Sequence, residues 1–337
     1  MNCDIVIPVW NHLSVTRDCI DSIRNNTQSG YRLIIIDNAS DGQTQGYLGS
    51  IKASDASGVI LIRNDENLGF VKAVNQGIAA SSAPYVCLLN NDTLAMKGWL
   101  SEMIAVAEAA PDIGIVNPSS NNLGQRPDSA EPVELYAERL RRYSGSFAEL
   151  GAAIGFCMLI KRPLIEKIGV FDEIYGMGNF EDTDFSRRAV KEGYRCVRAC
   201  AAYVYHREGS SFGKVRTFED DFQRNREIFE FRWGRPRRIA YVLDSYDPNL
   251  LKKLSSDSVK LARDGNWVWY FQKERLEVPA HSNITAVEPP AKNFYLVTAF
   301  RILKKKKRFS EIFVGGENFG RALAALSFIH KAKVKYY

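Results

Sequence analysis

Residues 4–9, DIVIPV, form a short apolar run rich in branched side chains, which favours a β-strand buried on both faces. Similar apolar runs lie at residues 31–36, 59–62 and 85–89, with helical patterns between them. Strands that are nearly all apolar and alternate with helices predict right-handed crossovers. We therefore expect an α/β fold with a Rossmann-like, mostly parallel sheet and helices on both faces.

Composition restricts the class of protein. The chain has 337 residues, of which 45% are hydrophobic and 25% charged, and its formal net charge is +6. These values are typical of globular proteins, and no apolar run approaches the roughly 20 residues of a membrane span. A strand pattern directly after Met1 predicts no signal peptide. The six cysteines are scattered, which suits reduced thiols, so we expect a cytoplasmic protein.

Polar residues lie just beyond several of the predicted strands. Asp37, Asn64 and Asp92 each follow such a strand, and ligands of parallel sheets bind beyond the carboxyl ends of strands. Gly69 would let the backbone approach a ligand closely, and the amides of the helix that follows favour phosphate oxygens. Ordinary turn chemistry explains the same residue types, but their position at one edge favours a binding site.

Residues 177–194, MGNFEDTDFSRRAVKEGY, place three carboxylates at the start of a predicted amphipathic helix. These are Glu181, Asp182 and Asp184. Acids at a helix start also complement the backbone dipole without any further role. Asp92 upstream and His206 at the end of a later strand favour a functional interpretation, in which the three segments supply a base and a metal–diphosphate site.

The pattern changes after Arg237. We predict a first domain over residues 1–235 and a smaller C-terminal α/β or helical extension over residues 236–337. This extension contains a strand–helix–strand pattern, then two helices that flank the run KKKKR at residues 304–308. It is either an accessory module or the front part of a second Rossmann-like domain.

Seven stretches, in order and at compatible spacing, resemble family 2 glycosyltransferases of the GT-A fold, in a bacterial branch that includes rhamnosyltransferases. The resemblance covers roughly residues 2–235. The stretches are DIVIPVWN (4–11), IIIDNASDG (34–42), NDENLGFVKAVNQG (64–77), LLNNDT (88–93), GAAIGFCMLIKR (151–162), FDEIYGMGNFEDTDFSRRAVKEGY (171–194) and YHREGSS (205–211).

The resemblance implies an enzyme that transfers a sugar, with inversion, from a UDP- or dTDP-linked donor to a hydroxyl group. The acceptor would be a glycan, a lipid-linked glycan or a protein, within polysaccharide biosynthesis. Inversion needs one carboxylate to take the acceptor proton, and Asp182 matches the family's base. Glu181 would orient the acceptor. Asp184 would support the helix start or bind the acceptor.

The resemblance also implies a divalent metal, Mn²⁺ or Mg²⁺, between the protein and the diphosphate. A hard cation suits Asp92, and His206 matches the family's histidine ligand. The family often has an acid at the position of Asn90; here it is an amide, so only Asp92 is carried over from that stretch. The donor-binding residues implied are Pro8, Val9, Asn11, Asp37, Asn64, Asn67, Gly69, Asn91 and Asp92.

Other classes of protein fit less well. A nucleotidyltransferase would carry a glycine- and arginine-rich loop after the first strand, where this chain reads PVWNHL at residues 8–13. The chain has no GxGxxG after that strand, as a dehydrogenase would, and no GxxxxGK[ST] of an NTPase. A non-catalytic scaffold that binds nucleotide sugars or glycans is the main alternative. We expect no nucleic-acid partner, because no aromatic residues interleave the basic run.

The basic run suggests a hypothesis for the extension. Lysines 304–307 would lie near the inner membrane surface, with apolar faces of the flanking helices in the interface. This peripheral contact would suit a lipid-linked acceptor. Simple packing of these helices on the catalytic domain explains the pattern too, and we favour it.

Overall fold

The computed structural model describes residues 2–28, 30–55, 58–207, 218–245 and 247–337. The chain divides into two compact units. The first comprises residues 1–148 and 152–233, and the second comprises residues 149–151 and 234–337. The stretch REGSSFG at residues 207–213 predicts a flexible basic loop, and most of it lies outside the described residues.

Nine strands form one sheet in the described residues, and eight of them lie wholly in the first unit. The nine strands are β1 (Cys3–Val9), β2 (Tyr31–Asn38), β3 (Val59–Asn64), β4 (Tyr85–Leu89), β5 (Thr93–Ala95), β6 (Ile113–Ser119), β7 (Phe147–Leu150), β8 (Cys157–Lys161) and β9 (Arg195–His206). Their order is β3-β2-β1-β4-β8-β6-β9-β5, and β7 also pairs with β9.

The first four strands are parallel, as the alternating pattern predicts. Strand β8 is antiparallel to both of its neighbours, β4 and β6, whereas β6 and β9 are parallel. Strand β5 pairs antiparallel with β9 and opposes Thr93 to His206. This pairing brings the segment after β4 to the end of β9, which is where the predicted metal ligands lie.

Eight α-helices accompany this sheet in the described residues. They are α1 (Leu13–Asn26), α2 (Gly42–Ser54), α3 (Phe70–Ala80), α4 (Trp99–Glu108), α5 (Val133–Leu140), α6 (Arg162–Ile168), α7 (Glu181–Lys191) and α8 (Phe218–Trp233). Short 3₁₀ turns occupy Asn121–Leu123, Arg141–Tyr143 and Glu173–Tyr175. The apolar face of α1 buries Cys19, Ile20 and Ile23 against the sheet core.

Two local predictions from the sequence are wrong in this unit: Ser14 as the cap of the first helix, and a buried strand over residues 151–160. The residue that precedes α1 is His12, in a left-handed conformation with φ 60°, so Ser14 lies inside the helix and does not cap it. The strand predicted over residues 151–160 begins only at Cys157. The preceding turn is held by side chains from elsewhere, since the amide of Ile154 donates to Asn117 and that of Gly155 donates to Asp182.

The second unit contains five parallel strands in the order β12-β11-β10-β13-β14. These are β10 (Arg238–Leu243), β11 (Trp267–Gln272), β12 (Ile284–Val287), β13 (Glu311–Val314) and β14 (Lys333–Tyr336). The helices are α9 (Pro248–Arg263), α10 (Phe294–Lys304), α11 (Glu317–Ala325) and α12 (Ser327–His330), with a 3₁₀ turn at Ala291–Asn293.

Separate apolar clusters cover the two faces of this sheet. Counted from β10, the strand order is 3-2-1-4-5, which is the order of a doubly wound Rossmann-like sheet. This strand order favours the front part of a second Rossmann-like domain over an accessory module as the interpretation of the C-terminal extension. The sequence pattern predicts one helix over residues 320–333, whereas the structure has the two helices α11 and α12 there, and the prediction is wrong after His330, where α12 ends and β14 follows.

Among the described residues, the helices are too short or too polar for any of them to cross a membrane. The six cysteines form no disulfide, and five of them are buried. Burial raises the pKa of the Cys19 thiol to about 12.

Candidate functional site

Helix α7 begins from an unusual backbone turn. Asn179 and Phe180 both adopt left-handed conformations, with φ of 75° and 71°, which are uncommon for residues other than glycine. Asn225 on α8 holds the preceding turn, since its amide donates to the carbonyls of Tyr175 at 2.9 Å and Gly178 at 2.8 Å. The turn aims the first residues of α7 into a cavity.

This cavity has a volume of about 400 Å³. It brings together the start of α7, the end of β9 and the segment after β4. Its lining comprises Phe70, Asn90, Asn122, Ile154, Gly155, Phe156, Asn179, Phe180, Glu181, Asp182, Thr183, His206 and Phe222. The size falls in the range of small-molecule sites.

The carboxylate of Asp182 is held by donors. Its Oδ2 accepts from the amide of Gly155 at 2.9 Å. Its Oδ1 accepts from the amide of Thr183 at 2.6 Å and from the Thr183 hydroxyl at 3.1 Å. Burial raises the pKa of Asp182, and these hydrogen bonds oppose that rise because they stabilise the charged form. Oδ2 accepts one of these hydrogen bonds and so retains a lone pair that can accept a proton.

Glu181 has a different environment. Its side chain is 6% exposed, and Oε2 has no hydrogen-bond partner within the described part of the chain. Burial, followed by the charge of Asp182, raises the pKa of Glu181 to about 8. The hydrogen bonds to Asp182 stabilise its charged form and oppose the rise of its pKa, so a proton on the pair is held preferentially by Glu181. Two adjacent carboxyl groups with different protonation states are typical of acid–base sites.

We expect Glu181→Gln to raise the melting temperature, and to raise it most above pH 8. The folded protein keeps the Glu181 proton up to about pH 8, whereas the ordinary pKa is 4.5. Because the folded state binds more protons between these values, this group lowers the free energy of unfolding as pH rises from about 4.5 to 8. Thermal melts of the protein without nucleotide, in EDTA, at pH 4 to 9 measure the effect.

The matched control is Glu166→Gln, the same change at an exposed residue of α6. Its melting temperature should follow that of the parent at every pH. A difference between Glu181→Gln and the parent that stays constant from pH 4 to 9 would contradict the assignment of the proton.

His206 and Asp92 meet at the edge of the cavity. His206 Nε2 lies 3.1 Å from Asp92 Oδ1, and the ring of Phe156 stacks on the imidazole with centroids 5.3 Å apart. Asn121 bonds to both the amide and the carbonyl of His206, at 2.8 Å each. The imidazole is therefore fixed in orientation, and it lines the same cavity as Asp182.

These two side chains suit a divalent cation. One carboxylate and one imidazole converge on a single point, and the buried His206 Nδ1 has no hydrogen-bond partner among the residues described. No group of three His, Cys, Asp or Glu residues that could hold a metal occurs in the described ranges. These two side chains therefore fit a cation that takes its remaining ligands from diphosphate oxygens and water.

The predicted donor-side residues near β2 and β3 form an amide network. Asn38 donates to Asn67 Oδ1 at 2.6 Å and accepts from Asn64 at 3.0 Å. Asn64 and Gln76 exchange two hydrogen bonds of 2.9 Å. The network fixes the segment between β3 and α3. Gly69, with φ 86°, lets that segment approach Gly176, whose carbonyl would be 3.0 Å from an added Cβ.

Several other residues predicted to bind the nucleotide sugar are held by partners within the protein. Asp37 is buried, pairs with Arg63 and accepts from the amide of Ser40 at 2.9 Å. Asn11 accepts from the amide of Asp41 at 2.7 Å. Asn91 is buried and donates to Thr16. Pro8 and Val9 lie at the end of β1. None of these residues lines the 400 Å³ cavity, and their nucleotide contacts stay predictions.

Asp184 differs from its two neighbours in α7. Its carboxylate is fully buried and accepts from Arg188, Arg232, Trp233 and Tyr175. These contacts join α7 to α8. They favour its predicted role as a support of the helix. Its other predicted role, binding of the acceptor, stays a prediction that the geometry does not favour.

Sequence reasoning missed the role of Gly155. Its amide donates to Asp182, and a Cβ at this position would lie 3.6 Å from Asp182 Oδ2 and 3.7 Å from Glu181 Oε1. A larger side chain would therefore occupy the space in front of both carboxyl groups. The stretch GAAIGF was part of the resemblance, but nothing in one sequence indicated which glycine contacts the acids.

A half-sheet of parallel strands joined to a carboxylate pair and an Asp–His pair is the arrangement expected of a glycosyltransferase of the GT-A fold. Residues 4–169 match the family described as Glycosyl transferase family 2, and this part of the chain is a domain of that family. The rhamnosyltransferase-like branch stays a prediction.

Two known proteins are similar to this chain, and the second is named as a glycosyltransferase. The chain is 29% identical over 268 residues to the uncharacterized protein y4gI of Sinorhizobium fredii, a match that covers 73% of this chain and 29% of that protein. It is 28% identical over 213 residues to the uncharacterized glycosyltransferase YwdF of Bacillus subtilis, covering 61% and 74%. Thus the match spans less than a third of y4gI.

A solved structure with the same fold is the mannosyltransferase PcManGT from Pyrobaculum calidifontis, in complex with GDP-Man and Mn²⁺. The TM-score is 0.53 at 15% identity, and the match covers 97% of this chain and 80% of that one.

Proposed function

We propose that the chain transfers a sugar, with inversion, from a nucleotide diphosphate sugar to an acceptor hydroxyl, and that Asp182 is the base. The observation that carries the proposal is the cavity in which Asp182, Glu181 and His206 lie together. An ionised carboxylate with donors on both oxygens is oriented to take a proton from a hydroxyl in the cavity.

The roles of the other groups follow from their protonation and position. Protonated Glu181 donates its O–H into the cavity and so orients the acceptor. Asp92 and His206 would hold Mn²⁺ or Mg²⁺, which would offset the negative charge of the nucleotide diphosphate as the leaving group. The segment fixed by Asn38, Asn64 and Asn67 would contact the nucleotide. PcManGT binds GDP-Man, so GDP sugars are tested beside the UDP and dTDP sugars that the resemblance implies.

The acceptor is a glycan, a lipid-linked glycan or a protein of a bacterial polysaccharide pathway, and the protein works in the cytoplasm. The proposal is tested with a panel of UDP, dTDP and GDP sugars, scored for release of nucleotide diphosphate with and without Mn²⁺. Binding of a nucleotide sugar without release of nucleotide diphosphate would favour the alternative, a non-catalytic scaffold.

We expect Asp92→Asn to raise the Mn²⁺ concentration needed for half-maximal activity by at least about tenfold. The protein supplies two ligands, so we also expect tight Mn²⁺ binding only when a nucleotide diphosphate is present. Electron paramagnetic resonance of Mn²⁺, with and without the nucleotide, measures the free cation. Asp21→Asn on the exposed face of α1 is the control. An unchanged Mn²⁺ requirement in Asp92→Asn would exclude this ligand.

A further inference from the structure

A second cavity, of about 320 Å³, lies within the second unit. Four apolar side chains line one side of it: Trp269 and Phe271 of β11, Val287 of β12 and Phe300 of α10. Its volume is at the low end for small-molecule sites. The cavity therefore suits a small ligand or one segment of a longer one.

The other side of this cavity is positively charged. Arg301, Lys304 and Lys305, all at the end of α10, complete the lining. Within the part of the chain that the structure describes, none of the three has a carboxylate within 4.0 Å. The side chains that line the cavity therefore offer hydrogen-bond donors and apolar surface, and no acceptor group that would read the edge of a nucleobase.

Lys305 is packed into the aromatic cluster. Its Nζ lies 3.6 Å from the centroid of the Trp269 ring and 5.1 Å from that of Phe309. Arg238 approaches the same indole, with Cζ 5.4 Å from the centroid. Burial and the charge of Arg238 lower the pKa of Lys305 to about 8. Two cations packed against one ring give this part of the site an excess of positive charge, which favours binding of an anion.

Exposed apolar residues continue the cavity outward. On α10, Leu296 is 73% and Phe300 58% exposed, and with Lys304 they are spaced by four residues and share one face. On α12, which contacts α10, Phe328 is 75% exposed. A basic rim beside exposed apolar side chains is typical of surfaces that bind anionic lipids.

We propose that this cavity binds the phosphate group of a phosphate-bearing lipid. The phosphate would lie against Arg301 and Lys304, and the first carbons of the chain against Trp269, Phe271 and Val287. The proposed site is more specific than a run of exposed lysines. Lys305 points into the aromatic cluster, while Lys304, Lys306 and Lys307 are exposed.

Calorimetric titration of the full chain tests the site with three probes: octyl phosphate, inorganic phosphate and octyl glucoside. We expect only octyl phosphate to bind measurably. The double variant Arg301→Gln/Lys304→Gln should weaken its binding by at least about tenfold, through loss of charge-assisted hydrogen bonds. Phe300→Ala should weaken it too. Lys253→Gln on the exposed face of α9 is the matched control and should bind as the parent does.

Co-sedimentation with phosphatidylcholine vesicles, with and without phosphatidic acid, then distinguishes a lipid in a bilayer from a dispersed one. Binding to the phosphatidic acid vesicles that falls in the double variant supports the site at a membrane surface. Binding of octyl phosphate alone supports it for dispersed lipid. Equal binding of inorganic phosphate and octyl phosphate, or an unchanged affinity in the double variant with its melting temperature preserved, would overturn the proposal.

Discussion

Asp182→Asn is expected to lower kcat by about 10²- to 10⁴-fold, the usual contribution of a general base. An amide cannot take the acceptor proton, yet it has nearly the same shape as the carboxylate. Its oxygen can still accept from the amide of Thr183, which keeps the contact at the start of α7, while the hydrogen bond from the amide of Gly155 is lost. The loss should appear in kcat, because the nucleotide is expected to bind elsewhere along the sheet edge. Initial rates with the best donor of the panel, measured at saturating Mn²⁺, give kcat and KM separately.

Asp21→Asn provides the same substitution on an exposed position of the first unit. It should retain the parental rate. An Asp182→Asn variant that glycosylates as fast as the parent would remove the base from the proposed mechanism, and with it the assigned roles of Asp182 and Glu181.

The second large effect concerns stability. Asp184→Ala should lower the free energy of unfolding of the first unit by about 3–5 kcal/mol, the usual cost of breaking a buried ion pair. Arg188 and Arg232 would lose the fully buried carboxylate that they share, and the indole N–H of Trp233 would lose its acceptor. The melting temperature should fall by about 6–20 °C in a domain of this size. Differential scanning calorimetry at neutral pH measures it.

Asp172→Asn is the matched control, because Asp172 pairs with the same Arg232 in a solvent-accessible position. Asparagine can still accept from the amide of Ile174, so the change should cost less than about 1 kcal/mol. Equal losses of unfolding free energy in the two variants would show that burial of Asp184 does not control the contact between α7 and α8.

Sequence patterns predicted the parallel strands of the first unit and the start of α7 because these depend on local periodicity. The different roles of three acids within four residues depend on partners distant in the chain. Gly155 supplies an N–H to Asp182, and Arg232 and Trp233 enclose Asp184 from α8. Local spacing carries no information about such contacts, so the acceptor role considered for Asp184 could not be tested from the sequence.

The second unit shows a related limit. Strands β13 and β14 have four residues each, and β14 alternates lysine with valine and tyrosine. Such short segments have little periodicity, and their pairing with β10 and with each other makes them strands. The Rossmann-like order of this unit became evident only from that pairing.

Burial of the titrating group of Glu181 lowers thermal stability, whereas the proposed catalysis requires that group. A laboratory selection for heat resistance at neutral or alkaline pH, applied without any screen for turnover, should enrich neutral residues at position 181, because they remove a titrating group that favours the unfolded chain. The survivors would be robust and poorly active, so a thermostable catalyst of this kind has to be obtained by changes outside α7.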